Sequence, residues 1–131
     1  MITRDEILMG RDKDHPLTPE LESNLSDLLI KINKIRSAYG KPLIVSSGYR
    51  PGSFNTAAGG AKRSLHMICK AIDFKDPKGE IDAWCDANQD LLESLGMWQE
   101  HPDATKNWCH LDIGDRPIKA RPGCKKRQFK P

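Results

Sequence analysis

No apolar run in the chain approaches the ~18 residues that a membrane span needs, and the opening Met1-Ile2-Thr3-Arg4-Asp5-Glu6 lacks the charged-then-apolar pattern of a secretory signal. Both absences predict a protein made in the cytoplasm. The four cysteines, Cys69, Cys85, Cys109 and Cys124, nowhere form a CxxC pair, which excludes a zinc knuckle or a dithiol redox motif. In a reducing compartment they read as free thiols, mostly small core residues, with no disulfide essential to the fold. Charge of one sign is also lacking: 21 Lys and Arg against 18 Asp and Glu leave +3, the balance of a soluble protein and not of a dedicated nucleic-acid binder. Basic residues gather only toward the end, about 115–131, at Lys119, Arg121, Lys125, Lys126, Arg127 and Lys130. That tail has one aromatic, Phe129, and no recognition helix, so specific nucleic-acid binding is disfavoured and a solvated end is expected. There are no repeats and no low-complexity run. At 131 residues a single-domain monomer spanning 1–131 is expected.

From Thr18 the helix signals line up: a capping Thr18, Pro19 in the first turn, and Glu20 and Glu22 near the positive end of the dipole. Leu21, Leu25, Leu28, Ile32, Ile35 and Tyr39 recur at helical spacing, and Gly40 closes the segment. Pro42 to Ser47 is short and β-branched and reads as a strand, whereas Gly48 to Arg63, rich in Gly, Ser, Asn and Ala, reads as a loop over a site. Lys70 to Phe74 predicts a second strand, Gly79 to Leu95 a second helix ended by Gly96, and Trp98 and Trp108 to Ile113 further strands. The sum is an α+β domain with a small antiparallel sheet, a long N-terminal helix and a second helix.

Two of the four histidines stand where a metal site would need them. His66 lies seven residues before Asp73, so the pair converges only if the chain turns from loop to strand between them. In the run Trp108-Cys109-His110-Leu111-Asp112, strand alternation puts His110 on one face with Trp108 and Asp112. Two imidazoles and one carboxylate leave the fourth tetrahedral position of zinc open, the arrangement of a catalytic site.

Local words give this set a context. Ser64-Leu65-His66-Met67-Ile68-Cys69-Lys70-Ala71-Ile72-Asp73 resembles the Ser-x-His-x-x-Gly-x-Ala-x-Asp signature of the zinc D-alanyl-D-alanine carboxypeptidases, the VanX dipeptidases and the phage L-alanyl-D-glutamate endopeptidases. Ser46-Ser47-Gly48-Tyr49-Arg50 with Asn55, and Trp108-Cys109-His110, resemble two further words of that family, in the same order. Met9-Gly10-Arg11-Asp12, Trp98-Gln99-Glu100-His101-Pro102 and the tail Gly123 to Pro131 resemble phage-encoded members in particular. The resemblance implies a Hedgehog/D,D-peptidase-like fold, zinc held by His66, Asp73 and His110, and hydrolysis of a peptide bond beside a D-amino acid in peptidoglycan stem peptides. It also implies a viral or prophage source whose product reaches the wall through a holin or from the virion. Arg50 would stabilise the oxyanion or hold a substrate carboxylate. Ser64 would fix the loop or a ligand, and Asp112 would orient His110.

Two departures stand out. The family's glycine at the sixth signature position is Cys69 here, so that turn must accept a side chain; with no histidine beside it, Cys69 reads as a buried small residue, not a ligand or nucleophile. Relatives place an acid three residues before the last histidine or a histidine two before, and here Asn107 and Trp108 stand there. Glu100 is the best substitute base, returned beside His110 by a hairpin; Asp103 and His101 are weaker candidates. The missing acid keeps an alternative open, a non-catalytic zinc-stabilised wall-binding or virion module.

Overall fold

The computed structural model describes residues 1–60 and 62–131. Its longest element, α2 (Pro19–Tyr39), starts at Thr18, whose side chain accepts from Leu21 N, and stops at Gly40 in the left-handed conformation. Leu25, Leu28, Ile32 and Ile35 along one stripe are wholly buried, which is how a helix of modest apolar content is held. A short α1 (Arg4–Leu8), closed by a Thr3/Glu6 capping box, precedes it and buries Ile7 and Leu8.

Among the described residues one mixed sheet has five strands in the order β1 (Val45–Ser47), β2 (Ala71–Asp76), β4 (Asn107–Asp112), β3 (Trp98–Glu100), β5 (Gln128–Phe129). The α+β class is as expected, and all neighbours are antiparallel except β3 and β5, which run parallel. Alternation sorts the two faces. Ile72 and Phe74 of β2 and Cys109 and Leu111 of β4 lie with the α2 stripe in the core. Asp73, His110 and Asp112 take the opposite face.

Several boundaries differ from expectation. The strand expected over 42–47 is only Val45–Ser47, and the loop expected over 48–63 contains α3 (Gly52–Ala57); Ala61, inside that segment, lies outside the described residues. The single helix expected from Gly79 to Leu95 is two, α4 (Glu80–Ala87) and α5 (Gln89–Leu95), broken at Asn88 with φ −124° and ψ 38° and ended at Gly96 as expected. The tail is solvated only in part: Lys125, Lys126, Lys130 and Pro131 are exposed, but the stretch between them docks on the sheet. Gln128 and Phe129 pair with β3, and Arg127 is buried with Nε donating to Met97 O at 2.9 Å.

A polar network fixes that tail. Gln99, fully buried, donates to Asp82 Oδ1 and accepts from Gln89 and Gln128, while Asp82 Oδ2 accepts from Thr105 Oγ1. No periodicity announces such glutamines. Arg127 lies 3.9 Å and Arg121 5.0 Å from the Trp98 ring centroid, so these two cations cover an indole, while Lys119, Lys125, Lys126 and Lys130 stay exposed. No helix among the described residues is long and apolar enough to cross a membrane.

Candidate metal and active site

Asp73 and His110 are brought together by strand pairing: they face each other in the β2–β4 register. His66 arrives from a 3-10 turn, Leu65–Ile68, capped by Ser64, whose Oγ accepts from His66 N at 3.2 Å. That turn ends on Cys69 at φ 60° and ψ 32°, the left-handed region that favours glycine. Here a buried thiol is accommodated, and burial pushes its pKa up to about 11, so it is no thiolate nucleophile at neutral pH.

Both oxygens of Asp73 are engaged, Oδ1 2.8 Å from His110 Nδ1 and Oδ2 3.3 Å from His66 Nε2. The outer nitrogens are held too. His66 Nδ1 lies 2.9 Å from Gly48 O, and a carbonyl can only accept, so Nδ1 carries a proton and Nε2, which faces Asp73, is the nitrogen left to offer a lone pair to a metal. His110 Nε2 lies 2.7 Å from Asp112 Oδ2. Asp112 is fully buried, and its oxygens also accept from Gly114 N and, in a fork, from Arg116 at 2.5 and 3.0 Å.

The electrostatics follow. Burial works against a charge on His110, but hydrogen bonds to Asp112 and Asp73 prevail and raise its pKa to about 9. Burial likewise works against the Asp73 carboxylate, and its bonds to His110 and His66 overcome that and hold it well below the usual range.

These atoms suit a metal. One ligand atom from each of His66, Asp73 and His110 lies within 4.8 Å of the others, all three residues are buried, and two imidazoles with one carboxylate are a zinc donor set. Tetrahedral coordination at about 2.0–2.1 Å sets ligand atoms about 3.3 Å apart, close to the 3.3 Å between His66 Nε2 and Asp73 Oδ2. A cation at Nδ1 of His110 would take the place of its proton and leave the Nε2–H on Asp112, the usual outer support of a metal-bound histidine.

The triad opens on a cleft of about 640 Å³, also lined by Ser64, Arg50, Glu100, Trp108, Asp112, Arg116 and Phe129. Burial lowers the pKa of Arg50, with Asp73 opposing, and its buried Nε has no hydrogen-bond partner among the described residues. The register Trp98↔Asp112 and Gln99↔Leu111, carried one residue on, sets Glu100 across from His110. Burial raises the pKa of Glu100, partly offset by His110. Asn107, at φ 80°, lines a different depression beside Asp82 and not this cleft; His101 and Asp103 also lie outside it, with His101 Nδ1 capping Asp103 N at 3.1 Å.

Sequence reasoning missed Arg116 and did not foresee how Phe129 and the Gly48 carbonyl are used. The Phe129 ring stands edge-on to His110, centroids 5.9 Å apart, and Arg116 stacks over it at 3.6 Å. No spacing rule marks Arg116, because it reaches Asp112 across an irregular turn and not along a helix.

Two buried imidazoles sharing a buried carboxylate on the wall of a cleft are a candidate site for one metal ion. The chain belongs to the peptidase M15 family, which matches residues 3–112 and whose members are zinc-dependent peptidases. No curated protein and no solved structure matched the chain.

Proposed function

We propose that the chain is a zinc peptidase that hydrolyses a peptide bond next to a D-amino acid in peptidoglycan stem peptides. The observation that carries this reading is the meeting of His66, Asp73 and His110 in one cleft with Arg50 and Glu100. His66 Nε2, an Asp73 oxygen and His110 Nδ1 would hold zinc, with Asp112 fixing the His110 ring and Ser64 the His66 turn. Zinc, when bound, supplies polarisation of a carbonyl and of a water molecule. Arg50 would hold a substrate carboxylate or the oxygen that gains charge on the scissile carbonyl; its unpaired buried Nε leaves donor capacity for that. Glu100 would accept a proton at its carboxylate and return it to the leaving amine, and the raised pKa that burial gives it suits both transfers. The same reading takes 1–131 as one monomeric peptidase unit, its tail from about residue 115 contributing Arg116 and Phe129 to the cleft wall. A phage or prophage source, with release to the wall through a holin or from the virion, rests on the words 9–12, 98–102 and 123–131.

A second reading, a non-catalytic zinc-stabilised wall-binding or virion module, is favoured by Asn107 in the family's acid position. Purified muropeptides separate the two. Wild-type protein loaded with zinc is expected to release alanine or a stem-peptide fragment, and Glu100→Gln to keep fold and zinc while turnover falls about 10²-fold, the scale of general acid–base catalysis. Intact turnover in Glu100→Gln removes Glu100 from its role. Absence of any hydrolysis by the zinc-loaded wild type replaces the enzyme by the binding module.

A further inference from the structure

At Gly48 backbone packs directly on backbone. Its φ lies outside the left-handed region, so conformation does not demand glycine there. Space does: a Cβ would collide with Ile7 O and stand 2.9 Å from Ile7 C and Cα, closer than real Cβ contacts come, with main chain on both sides and no flexible side chain to yield. The next amide closes the contact, Tyr49 N donating to Ile7 O at 2.8 Å. The strand exit 48–50 is thereby strapped to the N-terminal segment. Arg11 Nη1 donates to Tyr49 O at 2.8 Å and Tyr49 Oη to His15 O at 3.1 Å. That segment is itself pinned to α2, where Ile2 N donates to Asn33 Oδ1 at 2.7 Å and Asn33 Nδ2 to Ile2 O at 3.0 Å.

On its other side the strap holds His66. Gly48 O accepts from His66 Nδ1 at 2.9 Å, and Arg50 N donates to His66 O at 3.0 Å. We propose that Gly48 is a positioning residue for His66: seated against Ile7, its carbonyl locks the Nδ1–H tautomer and aims Nε2 at Asp73. The N-terminal residues 2–15 are therefore part of the apparatus that orients the site, although none of them lines the cleft. A displaced carbonyl frees the ring to turn or to change tautomer, and then the nitrogen facing Asp73 no longer carries a guaranteed lone pair.

The proposal rests on His66 being a ligand, and two readouts keep the ideas apart. In metal-free protein labelled with ¹⁵N-histidine, ring nitrogen shifts report the tautomer; zinc affinity is measured separately by competition with a chromophoric chelator. Wild type is expected to show His66 protonated at Nδ1, the nitrogen held against Gly48 O. Gly48→Ala is expected to mix the tautomers and to weaken zinc by about tenfold or more, the scale for support groups behind a metal ligand. Where Gly48→Ala does not fold, Arg11→Gln, which loosens the strap at Tyr49 O, is expected to move both readouts the same way, with zinc about threefold weaker. A folded Gly48→Ala, or failing that Arg11→Gln, with the wild-type tautomer and wild-type affinity overturns the proposal. Wild-type protein that takes up no zinc overturns the ligand reading instead, while a tautomer change in Gly48→Ala still upholds the positioning of the ring.

Discussion

The two faces of the central sheet use neighbouring residues of the same strands for opposite purposes. Ile72, Phe74, Cys109 and Leu111 meet the α2 stripe and contribute by removing apolar area from water. One residue along, Asp73, His110 and Asp112 bury charge, which costs desolvation and is tolerated because each charged atom faces a partner of opposite sign or a donor. The helix-covered face stabilises and is replaceable by volume; the cleft face spends that stability on groups held in fixed relative positions. One strand can serve both because its side chains alternate, so a substitution on one face need not disturb the other.

Loss of a ligand should break the comparison most visibly. His66→Ala is expected to reduce zinc from one per chain to background in metal analysis after chelator-free purification, with the thermal midpoint of the metal-free protein little changed. Full metal retention in His66→Ala would remove it from the site. On the other face, Leu28→Ala should cost about 3 kcal/mol, since it opens a cavity beneath a side chain with no exposure, while zinc stoichiometry stays at wild type. Chemical denaturation with a metal assay on the folded fraction checks both, and a lost metal site would show that the faces are not independent.

The pH dependence sharpens the contrast further. His110 has a folded pKa of about 9 against an ordinary 6.5, so its proton stabilises the metal-free chain fully below about pH 6.5. That stability is lost as pH climbs through about 9, and the total is on the order of 3 kcal/mol. Melting curves under chelator should therefore fall over that window. Zinc-loaded protein should escape the fall, because the cation replaces the proton; a flat profile for the metal-free chain would contradict the ionised His110–Asp73–Asp112 arrangement. The smallest effect concerns Asp112→Asn, which keeps shape but removes the charge holding His110 Nε2–H and Arg116. Zinc is expected to bind about tenfold more weakly by chelator competition, and an unchanged affinity would make Asp112 a mere packing residue.

Local sequence carried a good part of this. The α2 boundaries were legible because capping Thr18, first-turn Pro19 and terminal Gly40 act within a few residues of themselves. The convergence of His66, Asp73 and His110 was legible from motif words, and the shared face of Asp112 and His110 from strand alternation, whereas the full burial of Asp112 was not. The break at Asn88 was not legible, since apolar periodicity runs on through it, nor was α3, whose Gly, Ser and Asn content reads as loop.

By itself the sequence determined the α+β class, the long helix and the three residues of the candidate metal group, because periodicity, caps and short motifs are properties of neighbours along the chain. Tertiary structure alone decided the rest. The parallel placement of β5, the buried Gln99 network, the fork from Arg116 to Asp112 and the seat of Gly48 on Ile7 all join residues far apart in the chain or across irregular turns. Their energy comes from satisfying polar groups, or fitting backbones, that only the folded molecule brings into contact.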